Sequence, residues 1–503
     1  MKGLKAGSIS RFAFPLISLA IILINPIPDQ PLINRMIAVV ILMAGWWISE
    51  AVPIAVASLL PLVLFPFLGI MDGGDTAVQY FNDIIFLFMG GFILSLAMEK
   101  WDLHLKIAFR TLLFFGSKPY KILIGFMFAS SVLSMWMSNT ATAVLMLPIA
   151  ISVIAEMEHI HGKKKMARFK IGLLLGIAYS CSIGGITTLI GTPPNLAFVA
   201  IFSNMYPDAE AISFSTWFIF ALPIYIILLT SASLVLFLLF RPKIENAGTF
   251  RKYIREQNHK LGKSTSEQKV VMVLFSLFAL LLIFKSDLVI GNFRLPGWSN
   301  IFNEPAFIKD GTVAVALAIL LFVIPSKNKK GSQIMDWKTA LKLPWGIILL
   351  FGGGFALAKG SVESGLTQWI GEGLVQYAGT PPLIFIGINT MLMAFLTEFT
   401  SNISTTQILL PVVAAMSESL LINPKFLMIP VTLASSLAFM LPIATPPNAI
   451  VFGSKQLRIK DMILPGLILN ILGIVVVTLA MYLWGTNMFD IDLSQFPEWA
   501  VRH

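Results

Sequence analysis

A bilayer-spanning helix needs about 20 mostly apolar residues. Apolar stretches of that kind lie near 11–28, 33–49, 52–70, 83–99, 171–201, 214–240, 270–286, 311–325, 344–360, 426–452 and 462–485. Two further apolar blocks, 121–158 and 381–421, are too long for one helix and carry a polar knot in the middle. A loop exposed to lipid would leave backbone groups unpaired, so each block predicts a hairpin that enters the membrane and returns on the same side. The pattern therefore predicts an all-α polytopic membrane protein with about eleven transmembrane helices and two re-entrant hairpins. The first stretch has no small-residue cleavage site and another span follows at once, so it reads as a span and not a signal.

Composition agrees. Of 503 residues, 56% are hydrophobic and 12% charged, against about 25% charged in a soluble domain. A single Cys, Cys181, excludes a disulfide framework. The net charge of +10 comes from basic residues set between the apolar stretches, which argues against nucleic-acid binding. With both blocks folded as hairpins, 29 of the 36 Lys and Arg fall on one face, including Lys2, Lys243, Lys329 and Lys330. Positive residues stay cytoplasmic, so the N-terminus is expected inside and the C-terminus outside. The opposite face is acidic, with Asp72, Asp208, Glu363 and Asp490 among its residues.

The chain also repeats itself. Phe88-Met89-Gly90-Gly91-Phe92 recurs as Phe351-Gly352-Gly353-Gly354-Phe355, and Ser138-Asn139 as Ser401-Asn402, both at an offset of 263. Thr192-Pro193-Pro194-Asn195 recurs as Thr445-Pro446-Pro447-Asn448 at an offset of 253. Loop charges make 83–99 run inward and 344–360 outward, so the copies are inverted, the plan of secondary transporters with a site at the midplane. The expected organisation is 1–82 and 270–343 as scaffold helices, 83–240 and 344–487 as the two repeats, 241–269 as a basic cytoplasmic loop and 488–503 as an external tail.

Pro193-Pro194 cannot continue a helix. One helix is expected to end around Ile190-Gly191 and another to start near Asn195, with the same break between Ala444 and Asn448. Broken ends present carbonyls that suit a small cation and N–H groups that suit an anion. Neutral oxygens without clustered carboxylates point to a monovalent ion such as Na⁺ and away from Ca²⁺ or Mg²⁺. The knots hold no Arg or Lys, so anion binding should depend on the cation. Glu50 and Glu398 sit inside apolar stretches, and either could relay a proton. The favoured readings are a helix-end residue for Glu50 and an acceptor of backbone or Ser/Thr hydrogen bonds at the second hairpin for Glu398, with Lys359 snorkelling outward. Gly262-Lys263-Ser264 lacks the first glycine of a phosphate loop, Gln257 standing in its place. No histidine pair has zinc-protease spacing. The chain is not expected to be an enzyme.

Trp-Trp-Ile-Ser-Glu-Ala-Val-Pro (46–53), Met-Ser-Asn-Thr-Ala-Thr-Ala (137–143), Gly-Thr-Pro-Pro-Asn (191–195), Thr-Glu-Phe-Thr-Ser-Asn (397–402) and Ala-Thr-Pro-Pro-Asn-Ala-Ile-Val-Phe-Gly (444–453) resemble the divalent anion/sodium symporter family over about residues 33–487. The resemblance implies a homodimer whose protomers each carry a scaffold and a mobile part that moves the site elevator-fashion. It implies at least two Na⁺ sites, one around Ser134, Ser138, Asn139 and Gly191, the other around Thr397, Thr400, Ser401, Asn402 and Ala444. Substrate carboxylates would meet Asn139, Thr140, Thr192, Asn402, Thr445 and Pro446. One departure is Ile403, which stands where the first repeat has Thr140 and cannot donate to a carboxylate. Ser134 and Thr397 stay neutral where a sodium-independent exchanger would be expected to carry a cation. The implied function is Na⁺-coupled symport of C4-dicarboxylates (succinate, malate, fumarate) across the plasma membrane. A Na⁺-independent dicarboxylate exchanger and a sulfate or citrate carrier of the same fold are the alternatives.

Overall fold

The computed structural model describes residues 3–116, 118–241, 248–290, 293–328, 331–373 and 381–501. Lys2, Lys243, Lys329 and Lys330, counted above among the cytoplasmic cations, lie outside the described residues. The described chain is almost wholly helical, with one antiparallel strand pair in which Leu288 faces Leu295. Eight of its helices are long and apolar enough to cross a membrane, and shorter apolar helices accompany them. Phe67 and Phe114 are more than four-fifths exposed, as outward apolar side chains are where lipid is the solvent.

The first helix, Gly3–Ile24, stops before Asn25, which takes a left-handed conformation at φ 48° and is followed by Pro26 and Pro28. Pro31–Ser49 follows and ends at Glu50, also left-handed. The stretch read as one span at 52–70 is split into Ile54–Ala57 and Leu60–Leu68. The joint is held by Ser58, whose hydroxyl accepts from Trp47 Nε1 at 3.1 Å and whose carbonyl accepts from Tyr80 at 2.5 Å.

Both predicted hairpins consist of two helices joined by a short tip: Pro119–Ser134 with Asn139–His161, and Pro382–Leu396 with Asn402–Ser419. Both predicted chain breaks are present but longer than expected. The incoming helices, Lys163–Gly185 and Pro424–Ala434, end well before Ile190 and Ala444, and the outgoing helices start at Pro193 and Pro446. Proline is at home in the first turn, where its missing N–H has no partner to lose. It therefore opens each new helix instead of merely ending the old one.

Three basic segments read as loops are helical. Lys163–Lys170 forms the opening turns of Lys163–Gly185, and Leu103–Phe115 and Gly248–Lys260 are helices in their own right. The two glycine motifs seat their helices alike. A Cβ on Gly90 would come within 2.6 Å of Ala314 Cβ, and one on Gly353 within 2.5 Å of the Ser58 carbonyl oxygen. Glycine lets Asp83–Lys100 lie against Asp310–Val323, and Trp345–Glu363 against the split N-terminal helix.

Candidate functional site

At the first hairpin tip, Ser138 caps Asn139–His161 by accepting the Ala141 N–H at 3.1 Å. Asn139 is thus the first helical residue and not the cap, which leaves its side chain for other work. Its Oδ1 accepts from the Ser134 hydroxyl at 2.5 Å. The second tip repeats this with different chemistry at one position. Asn402 Oδ1 accepts from the Thr397 hydroxyl at 2.6 Å, and the same hydroxyl lies 3.0 Å from the Ser435 carbonyl. A hydroxyl has one proton to give, so three oxygens here share a single hydrogen.

Each tip is laced to the break of its own repeat. The buried Asn195 amide donates to the carbonyls of Gly185, Ile186 and Thr188, and the buried Asn448 amide to those of Ala438 and Leu441. Gly185 and Ala438 correspond across the repeat, as do Thr188 and Leu441. These amides answer carbonyls that the broken helices leave open. In the first repeat the Thr188 hydroxyl also donates to the Met135 carbonyl at the tip. The position matching Met135 is Glu398, and it makes the same tie with its side chain. Its carboxylate, 1% exposed, accepts the N–H groups of Met440 at 2.9 Å and Leu441 at 3.0 Å and the Asn470 amide at 2.7 Å. Asn470 in turn accepts the Phe439 N–H at 3.2 Å. Glu398 is therefore a tie rod that accepts backbone hydrogen bonds, as expected, with Asn470 in place of a Ser or Thr. Asn470 escaped notice in the sequence, although a lone amide inside the apolar run 462–485 was the available signal.

Both tips and both breaks face one cavity of about 600 Å³. Ser138, Asn139, Thr140, Gly191 and Thr192 line it from the first repeat, and Thr400, Ser401, Asn402, Ala444, Thr445 and Pro446 from the second. Ser134 and Thr397 stand behind their asparagines, buried and off the cavity wall. Thr400 is on the wall, but its hydroxyl is turned to the Leu396 carbonyl and to Thr405. Thr445 accepts the Asn448 N–H at 3.3 Å, while Thr192 makes no such bond. Ile403 is also on the wall, and Trp47, Phe92 and Phe399 supply aromatic surface. Among the described residues, Glu50 is the one charged side chain lining the cavity, and no Lys, Arg or His joins it.

The transmembrane-region model of the sodium:sulfate symporters covers residues 7–491. The chain belongs to the sodium:sulfate symporter family. Among its relatives, the sodium-dependent dicarboxylate transporter SdcS of Staphylococcus saprophyticus is 42% identical over 467 residues, covering 91% of this chain and 87% of that protein. The Na(+)/dicarboxylate cotransporter 3 of Homo sapiens is 35% identical over 572 residues, covering 96% and 94%. In fold alone the chain is similar to the YdaH transporter of Alcanivorax borkumensis, with a TM-score of 0.56 at 13% identity over 85% of this chain and 89% of that one. It is likewise similar to MtrF of Neisseria gonorrhoeae, with a TM-score of 0.53 at 10% identity over 81% and 83%.

Proposed function

We propose that this protein is a secondary active transporter that couples Na⁺ entry to the import of C4-dicarboxylates such as succinate, malate and fumarate across the plasma membrane. The observation that carries the reading is the duplicated hydroxyl–asparagine pair, Ser134 with Asn139 and Thr397 with Asn402, beside a cavity that no cationic side chain lines among the described residues. Two relatives that align over most of the chain are named as sodium-dependent dicarboxylate carriers, which favours a dicarboxylate over sulfate.

In this reading Na⁺ is cargo and takes the place of the shared proton's bridging role. The hydroxyl turns its lone pairs to the ion, and Asn Oδ1 does the same. Ser138 and Gly191 would complete the first ion site, and Thr400, Ser401 and Ala444 the second. Hard oxygen donors without a carboxylate suit a monovalent ion. A dianion entering the cavity alone would meet neutral donors and the Glu50 carboxylate. Two bound cations change that balance, so Na⁺ should bind before or with the substrate. Asn139, Thr140 and Thr192 would then hold one carboxylate, and Asn402, Thr445 and Pro446 the other, with Ile403 offering only apolar contact.

The loop charges support a cytoplasmic N-terminus and an external C-terminus, with 83–240 and 344–487 as inverted repeats and the two hairpins entering from opposite faces. On that plan 1–82 and 270–343 form the scaffold of each protomer in a homodimer, and the hairpins and broken helices form the part that moves. The deciding experiment is uptake of labelled succinate into proteoliposomes with an inward Na⁺ gradient. Uptake should collapse when K⁺ replaces Na⁺. Equal rates in K⁺ would remove the symport reading, and a requirement for internal dicarboxylate would make the protein an exchanger.

A further inference from the structure

A second site lies outside the transport cavity, at the charged end of the helix Ser266–Ile283. There Lys106 and Arg110, from Leu103–Phe115, share a small pocket with Ser264, Gln268 and Lys269. Lys106 is 3% exposed, and among the described residues its ammonium has one acceptor, Gln268 Oε1 at 3.2 Å. That oxygen is already shared, since it also accepts the Thr265 N–H at 3.2 Å. Among the described residues no carboxylate forms an ion pair with Lys106, Arg110 or Lys269. A buried cation without an anion is costly, and two further cations beside it raise the cost. Among the described residues no acidic side chain lines the pocket, and the neighbouring Glu267 is turned to Ser326 and Asn328.

The pocket does not end at its charged mouth. Leu103, Ile107 and Met272 line it and also line an adjoining apolar groove of about 180 Å³, whose deeper walls include Leu133, Trp136 and Phe275. From Gln268 to Ser276 the two together follow Ser266–Ile283 for roughly 12 Å. A basic mouth that runs into an apolar groove along a membrane-length helix fits an amphiphile with an anionic head. A free phosphate would fill only the mouth and a neutral lipid only the groove.

We propose that this is a binding site for an anionic phospholipid, its phosphate held by Lys106, Arg110 and Lys269 and one acyl chain lying in the groove against Trp136. The site is separate from the transport cavity and goes beyond the transport reading. It touches the same hairpin, however, because Trp136 adjoins Met135, the residue whose carbonyl ties the first tip to Thr188. A lipid seated there packs against the back of the tip that carries Asn139.

The test is native mass spectrometry of the purified full-length chain in mild detergent with phosphatidylglycerol, phosphatidylcholine or inorganic phosphate. Phosphatidylglycerol should be retained in preference to phosphatidylcholine, and excess phosphate should not displace it. Lys106→Gln should weaken retention about fivefold, the loss expected for one basic contact to an anionic lipid. Met272→Trp, which narrows the groove without changing charge, should also weaken it. Should Lys106→Gln fail to fold, the exposed Arg110→Gln and Lys269→Gln give the same measurement. Equal retention of both lipids, displacement by phosphate, or unchanged retention in the charge variants would each overturn the proposal.

Discussion

Phe88 and Phe351 hold the same place in the two repeats, and their rings meet edge to face with centroids 5.2 Å apart. Both are buried. The ring pair ties the two glycine-rich helices, Asp83–Lys100 and Trp345–Glu363, to each other. An edge-to-face pair contributes about 0.5–1.5 kcal/mol beyond its buried area. A double-mutant cycle on Phe88→Ala and Phe351→Ala, read by thermal unfolding in detergent, should return a coupling of that size. Additive losses would mean that the rings do not meet.

The paired hydroxyls make a prediction about ion affinity. Thr397→Val keeps the shape of the side chain and removes the oxygen next to Asn402 Oδ1. One such contact is worth about 1 kcal/mol, so the Na⁺ concentration for half-maximal succinate uptake should rise several-fold. Ser134→Ala should act alike at the first tip. A fall in maximal rate with an unchanged Na⁺ curve would assign these hydroxyls to structure alone.

Much of this site was legible in the sequence because repetition acts as an internal control. Ser138-Asn139 and Ser401-Asn402 stood out only as a pair at constant offset, and the structure brings both to one cavity. The extent of the breaks was not legible, because Pro193 and Pro446 mark where a helix starts and say little about where the previous one stopped. Leu103–Phe115 was missed for a different reason. Treating Lys106 and Arg110 as loop charges hid the apolar face made by Leu103, Ala108, Phe109 and Leu112, all buried.

Ile403 makes the cavity unequal at the two tips. Restoring a hydroxyl with Ile403→Thr should tighten succinate several-fold, since a hydrogen bond to a charged group is worth about 1.5–3 kcal/mol and some of it is lost to imperfect geometry. Thr140→Val should weaken succinate by more than Ile403→Val does. Competition of succinate against labelled substrate measures both. Equal effects at the two positions would show that the substrate ignores the difference between them.

At one end of Asp83–Lys100, Lys100 reaches Asp336 at 2.6 Å and the Ile334 carbonyl at 3.0 Å, joining the first repeat to the second half of the chain. The Lys100 hydrogen bond, helped by the Thr339 N–H, holds the Asp336 carboxyl down to about 2. A depressed acid stabilises the fold above its unfolded value of about 4, and that contribution is lost as pH falls toward 2. Asp336 is nearly half exposed, so screening keeps the effect at about 1 kcal/mol or less. Asp336→Asn should lower the melting temperature slightly at pH 7 and leave it unchanged near pH 2.

Glu398 separates a tie from a proton relay. Its two oxygens divide the work: Oε1 takes the Met440 N–H and the Asn470 amide, and Oε2 takes the Leu441 N–H. Glu398→Gln turns one of those acceptors into a donor, so a buried N–H faces an N–H. An orphaned buried group costs about 1–3 kcal/mol, and the melting temperature should fall by several degrees, with uptake falling in step. Asn470→Asp sets two carboxylates against each other and should cost more. Combining the two changes lets the new amide donate to the new carboxylate and should recover part of the loss, which independent damage could not do. A Glu398→Gln protein with an unchanged melting temperature and an altered pH dependence of uptake would instead make Glu398 a proton carrier.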